Sequence, residues 1–314
     1  MNIAFVTVDV FTDRAFGGNP LAVVPDARGL DTARMQAIAT EFNLSETTFV
    51  LPPRDPAHTA EVRIFTPRLE LPFAGHPNVG TAFVLATAAA SATAARPAAD
   101  TMMFEEKAGL VAVTLVRDGA AVTGARLAAP QPLSVLGEVD RNTVAAACSL
   151  APGDIDTRLH APCIASCGIP LIFAAVTTRA ALATASPRTD VFAAQLPASR
   201  ATGIHLYVAT PQGAADIEAR MFAPLQGITE DPATGSANVT LVALLAALAE
   251  QPGMRLARRI SQGVDMGRPS LMVASAEKRD GKVVAAHVGG SCVPVTRGVM
   301  TLPPVLTAAV RASL

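Results

Sequence analysis

The chain has 314 residues, 50% of them hydrophobic, enough for a substantial core and for two domains of ordinary size. Lys and Arg number 25 against 26 Asp and Glu, and the resulting net charge of −1 gives no general attraction for nucleic acid or an acidic membrane surface, so a small molecule is the expected partner. Four scattered cysteines (Cys148, Cys163, Cys167 and Cys292) do not make a disulfide framework, and Cys163 and Cys167 lack the spacing and second pair of a zinc site. Read as reduced thiols, they imply a cytoplasmic location.

The opening run MNIAFVTVDVF has no basic leader and alternates, which suits a first strand rather than a signal peptide. Alternation predicts strands over Asn2 to Val10, Leu21 to Val24, Thr47 to Leu51, Glu61 to Phe65 and Val111 to Val116, with the turn residues Gly17-Gly18-Asn19-Pro20 between the first two. Asp31 opens a helix whose apolar positions Met35, Ile38, Ala39 and Phe42 recur at helical spacing. Thr81 to Ala95 and Val239 to Ala249 are Ala-rich or too short for a membrane span, which needs about 18 or more strongly apolar residues, and are expected as buried helices. Ala88 to Asp100 reads as a helix tail followed by a loop.

The second half of the chain echoes the first. Gly18-Asn-Pro20 returns as Gly168-Ile-Pro170, Arg63-Ile-Phe-Thr-Pro67 as Arg220-Met-Phe-Ala-Pro224, and Gly75-His-Pro-Asn78 as Gly235-Ser-Ala-Asn238. The three matches keep their order, and their offsets of 150, 157 and 160 residues drift only by loop-sized insertions. A period this long is outside the solenoid range and implies a duplicated domain. In each copy the glycine turn precedes a helix that is apolar nearly all round, through Phe83, Val84 and Leu85 or through Leu241, Val242, Leu244, Leu245 and Leu248, and such a helix must be enclosed. The expected fold is α+β: two similar domains, each a mixed, mostly antiparallel sheet curled around a central helix. The expected spans are 1–120 and 126–301, with the segment from about 302 to 314 packing back on the first. Arg63 and Arg220, repeated at strand starts, are expected to make structural pairs rather than to clamp substrate.

Two glycine turns facing one another would make a cleft with two helix N-termini, where free amides and the helix dipole favour an anion. Asp231 stands four residues before Gly235, at the rim of the second turn, and Gly75-His76 holds the matching place in the first. A carboxylate and a histidine at such a cleft suit proton transfer at carbon. Asp231 and Ser236 are equally suited to capping the helix, and Glu46, at a strand start, has by composition alone the character of a solvated side chain.

At these residues the sequence resembles the PhzF family of phenazine-biosynthesis-type isomerases, which share the fold of diaminopimelate epimerase. The likeness runs through Phe16-Gly-Gly-Asn-Pro20, Asn43-Leu44-Ser45-Glu46-Thr47, Pro72-Phe73-Ala74-Gly75-His76-Pro77 and Glu230-Asp-Pro-Ala-Thr-Gly-Ser-Ala237. The resemblance implies a catalytic Glu46 with His76, Asp231 and Ser236 as partners, active-site glycines at Gly75 and Gly235, no cofactor and no metal. It further implies a homodimer and a reaction like the isomerisation of trans-2,3-dihydro-3-hydroxyanthranilate, in which a glutamate moves a proton between ring carbons. Related epimerases use two cysteines at the glycine turns; here Ala74 adjoins Gly75 and no cysteine is near Gly235 in sequence, which disfavours a two-thiol mechanism. A racemase, epimerase or lyase-like enzyme on an amino or hydroxy acid, and a metabolite-binding protein without turnover, are the alternative expectations.

Overall fold

The computed structural model describes residues 1–92, 100–196, 201, 203–210 and 213–303. The expected loop before Asp100 and most of the expected C-terminal segment (304–314) lie outside the described residues.

The chain runs β1 (Asn2–Val10), β2 (Asn19–Val24), α1 (Thr32–Phe42), β3 (Glu46–Leu51), β4 (Ala60–Phe65), β5 (Glu70–Leu71), α2 (Gly75–Ala92), β6 (Thr101–Glu106), β7 (Gly109–Asp118) and β8 (Ala121–Ala128). It continues with β9 (Ser134–Glu138), α3 (Arg141–Ala147), β10 (Ile155–Asp156), β11 (Cys163–Ser166), β12 (Leu171–Val176), α4 (Arg179–Thr184), α5 (Thr189–Gln195), β13 (Ile204–Ala209) and β14 (Ile217–Ala223). It closes with β15 (Ile228–Asp231), α6 (Gly235–Leu248), β16 (Met254–Gln262), β17 (Ser270–Arg279) and β18 (Lys282–Thr301). The five predicted strands and the helix after Asp31 all form. Asp31 caps α1 by accepting from the Arg34 amide, and Met35, Ile38 and Ala39 are its buried face.

The fold is mixed α+β, and its strands join in one sheet. Strands β1, β2, β3, β4, β6, β7, β8 and β18 pair in a closed ring, because β18 pairs with both β8 and β1. Helix α2 lies against β1, β2, β3, β7, β8 and β18 of this ring. The pairing order recurs in the second half: β12 and β13 are parallel as β2 and β3 are, β14 and β16 parallel as β4 and β6 are, and β13–β14 antiparallel as β3–β4 are. There α6 packs on β11, β16, β17 and β18. With Leu241, Val242, Leu244 and Ala246 all buried, α6 has no polar face to give to solvent, so the surrounding strands are what make it stable. Outside the strands, α1 covers one face through Met35 and Ile38 against Phe49 and Phe65, while α3 to α5 cover another through Val144, Leu182 and Phe192 against Ile172 and Phe222. Among the described residues no helix is long and apolar enough to cross a membrane.

The long strand β18 serves both halves. Its residues up to Gly289 pair with β17, and its residues from Cys292 onward pair with β1, although the sequence reading places all of 126–301 in the second unit. Leu302 continues the contact with the first half, its amide donating to the Met1 carbonyl at 2.8 Å.

The repeated arginines make matching structural pairs. Arg63 Nε and Nη2 donate to the two carboxylate oxygens of Glu70, and Arg220 Nε and Nη2 to those of Glu230, all at 2.8 Å. Each guanidinium also lies over the ring two residues on, Phe65 at 5.2 Å and Phe222 at 4.9 Å from the centroid. Arg220 Nη1 in addition donates to the carbonyls of Leu182, Ala183 and Ala185, tying α4 to β14. Replacing Arg220 with Ala leaves a largely buried carboxylate and three carbonyls without their donor, so Arg220→Ala should lower unfolding free energy by about 3–5 kcal/mol. The paired change Arg220→Met with Glu230→Leu should cost less, and chemical denaturation of the three proteins measures the difference.

Candidate active site

The two glycine turns meet. A methyl group built on Gly75 would lie 3.9 Å from both the Gly235 Cα and the Ser236 amide nitrogen, so the starts of α2 and α6 stand almost against one another. At neither glycine is a methyl excluded by a hard clash, the nearest atom to one on Gly235 being Phe11 Cζ at 3.5 Å. What the missing side chains leave is access to backbone N–H groups at the positive ends of two dipoles. The first turns match in detail: Asn78 Nδ2 donates to the Ala74 carbonyl at 2.9 Å and Asn238 Nδ2 to the Thr234 carbonyl at 3.0 Å.

Asp231 does not cap α6. The cap position belongs to Thr234, which makes no side-chain capping bond, because its hydroxyl donates to Asp231 Oδ2 at 2.5 Å. Asp231 Oδ1 accepts from Asn19 Nδ2 at 2.9 Å, which ties the glycine turn before β2 to the second half across 212 residues. Gln262 completes the network, donating to the Asp231 carbonyl at 2.7 Å and to the Thr234 hydroxyl at 3.0 Å. Burial raises the Asp231 carboxyl to about 6, against the opposing pull of the Thr234 and Asn19 hydrogen bonds. Ser236 is half-buried in the first turn of α6, inside the helix rather than at its cap.

Glu46 is the first residue of β3, set beside Leu21 by the parallel pairing of β2 and β3. It is not a solvated side chain: 13% of it is exposed, and Oε2 lies 3.4 Å from His76 Nε2. Neither of those two atoms makes a hydrogen bond, so this is a close approach of two buried, unsatisfied polar groups. Burial first, and the Asp231 charge second, push the Glu46 carboxyl up to about 8. Burial alone pushes His76 down to about 3, so the imidazole is neutral. Three titratable groups therefore stand together with separated proton affinities, the pattern expected where acid and base roles are divided.

The duplication does not extend to the two acids. By the offset that relates Arg63 to Arg220, Glu46 corresponds to Gly203, where a Cβ would meet the Phe222 carbonyl oxygen at 2.5 Å. By the offset that relates Gly75 to Gly235, Asp231 corresponds to Leu71 and His76 to Ser236. Each half thus supplies one carboxyl, from a position where the other half has no ionisable group, a glycine in one case and a leucine in the other.

Beside the turns lies a mostly apolar cleft whose walls include Gly75, Ser236, Phe73, Val288, Cys167 and Gly168. Glu46, His76 and Asp231 are not on its walls; Gly75, next to His76, and Ser236 are where the cleft meets the polar cluster. Sequence reasoning missed Cys167, which reaches the cleft from the turn between β11 and β12. Its thiol is raised by burial, and among the described residues no second cysteine lines the cleft. It also missed Asn19 as a partner of Asp231, and Thr234 and Gln262 altogether. Among the described residues no three His, Cys, Asp or Glu side chains converge to hold a metal ion.

A family model described as phenazine biosynthesis-like protein matches residues 8–298. The chain is 38% identical to an uncharacterized isomerase of Mesorhizobium japonicum, over 94% of this chain and 97% of that one. It is 35% identical to a trans-2,3-dihydro-3-hydroxyanthranilate isomerase of Pseudomonas chlororaphis, over 95% and 99%. Its fold is shared by a phenazine biosynthesis protein of Bacillus anthracis, with TM-score 0.85, 23% identity, and coverage of 96% of this chain and 100% of that one.

Because Glu46 in the folded chain stands near 8, above its ordinary 4.5, the folded protein holds a proton there that the unfolded chain releases. Its contribution to stability therefore falls as pH rises from about 4.5 to about 8, by up to roughly 1.4 kcal/mol per pH unit. Thermal denaturation across this range should show Glu46→Gln gaining on the parent protein as pH rises. Asp231→Asn, which removes the neighbouring charge, should move the upper end of that window to lower pH.

Proposed function

Because the chain belongs to the phenazine biosynthesis-like (PhzC-PhzF) family, we propose that its paired helix starts and the Glu46 carboxyl carry out a cofactor-independent proton transfer between carbons of a small carboxylate-bearing metabolite. The protein is an isomerase. The observation that carries the finer reading is the Glu46–His76 approach: a desolvated carboxyl with an oxygen free of hydrogen bonds, in the electrostatic reach of a second carboxyl from the other half of the chain.

In this reading the two sheet-wrapped helices are two similar domains, with the site in the cleft where their N-termini meet. The substrate carboxylate lies at the open amides of α2 and α6, with its ring or chain in the apolar cleft. Ionised Glu46 removes a proton from one carbon. The electron pair left behind is delocalised toward an oxygen or the substrate π-system, and the proton returns from the Glu46 carboxylic acid to a second carbon, so that neither protons nor electrons are gained or lost. A carboxyl near 8 suits both halves of that cycle, since its two forms are close in free energy at the pH of the cell. Neutral His76 and Ser236, at corresponding positions of the two turns, are within the same site to hydrogen-bond the delocalised charge, and Asp231 stabilises the acid form of Glu46 by its own negative charge. Gly75 and Gly235 leave the amides exposed to substrate. A two-thiol mechanism is not favoured, because Cys167 is the one cysteine on the cleft wall. A homodimer in the cytoplasm is the setting we propose, in keeping with the family resemblance and with four free, buried thiols.

The trans-2,3-dihydro-3-hydroxyanthranilate named for the Pseudomonas relatives is the first substrate to test. In heavy water the protein should introduce deuterium at carbon during turnover, and Glu46→Gln should slow this by about 10²–10⁴-fold while keeping the parent's circular dichroism spectrum. Undiminished deuterium incorporation by Glu46→Gln would remove Glu46 from the mechanism. Binding without any exchange would favour a metabolite-binding protein.

A further inference from the structure

A third carboxyl lies under the first turn of α2. Glu106, the last residue of β6, is 5% exposed, and neither of its carboxylate oxygens has a hydrogen-bond partner. Its counterpart in the second half is Gln262, the last residue of β16. Glu61 pairs with Glu105 on β6 as Glu218 pairs with Ser261 on β16, and each glutamate stands two residues before its repeated arginine. Gln262 is fully satisfied there: its carbonyl accepts from Asn238 Nδ2 at 2.8 Å, and its amide clamps Asp231 and Thr234 at the start of α6. Glu106 holds the same place beside Asn78, with a carboxyl where the other half has an amide.

Among the described residues no cation is paired with this carboxyl. Glu105 is turned to Arg54 and His58, and Lys107 Nζ bonds Glu70, which also holds Arg63. On α2 the polar group that acts on it is Asn78, and across the β6–β7 ladder stands Gly109. Burial pushes the Glu106 carboxyl up to about 8, with Asn78 pulling in the opposite direction. An ionised Glu106 would be a lone buried charge beneath the turn that offers its amides to an anion.

We propose that Glu106 keeps its proton in the folded protein and acts as a positioning residue for the Gly75–His76 turn, from the place that Gln262 holds in the other half, and that losing this proton weakens anion binding at the turn by adding negative charge beneath it. The second clause rests on the anion site proposed above, and the first does not.

Two measurements on the full chain separate them. With 13C-carboxyl-labelled glutamate, the resonance that Glu106→Gln removes should titrate far above the usual carboxylate range; titration within that range overturns the proposal. Benzoate serves as the probe anion, its dissociation constant measured at pH 6.5 and 9 for the parent and for Glu106→Gln. The parent should weaken about fivefold more than the variant, as a nearby like charge would cause. Equal weakening of both proteins overturns the charge effect. If benzoate binds neither protein, the anion site itself fails, and the carboxyl titration still decides the protonation of Glu106. Glu106→Gln places at this position the residue already tolerated at 262, so its folding is expected to match the parent's.

Discussion

The meeting of two helix N-termini at Gly75 and Gly235 is the constraint on which the rest depends. Helix ends repel when their positive poles are brought together, and each has amides that need acceptors. Both difficulties are relieved by negative charge placed between or beside them. The enclosure of α2 and α6 by strands forces the approach, because two helices without a polar face must be sheathed, and β18, part of both sheaths, keeps their starts adjacent. The fold thus creates an electrostatic demand at one point, and the nearby acids and the proposed substrate carboxylate are alternative ways of meeting it.

The repeat supplies the symmetric part of this arrangement, and the proposed chemistry rests on departures from it. The Arg–Glu–aromatic clusters of the two halves make matching contacts and are structural. The carboxyls do not: Glu46 has no counterpart because the second half admits no side chain at Gly203, and Asp231 faces a leucine in the first. The single proton carrier proposed at Glu46, at an asymmetric place, suits a reaction that takes a proton from one carbon and delivers it to another, whereas two matched thiols suit exchange on opposite faces of the same carbon.

Part of the first half was legible because some of its strands bury alternate residues, and period-two alternation records that directly, as in Ala60–Phe65 and Gly109–Asp118. The repeat was legible because the same Gly, Arg and Pro positions recur in the same order in both halves. Partners were harder to read. Periodicity tells which side of a strand is covered but not by what, so the Asn19–Asp231 bond, the Gln262 clamp and the arrival of Cys167 at the cleft left no local mark. Glu46 stood out only through the family resemblance, since a single acid at a strand start carries no spacing of its own; its burial depends on β2 and on His76, which are distant in sequence. The double membership of β18 was hidden for the same reason, one unbroken strand changing neighbours halfway along.

That strand has a consequence for how the protein comes into being. Asn2 pairs with Thr301, 299 residues later, so the ring of strands around α2 stays open while nearly all of the described chain is being synthesised. Until β18 arrives, β1 and β8 each present an unsatisfied edge, and the interior of the first half is exposed through the gap. Sequence separations of this size make assembly slow and prone to intermolecular pairing. The ring around α2 therefore closes only with a segment made after most of the second half has been translated.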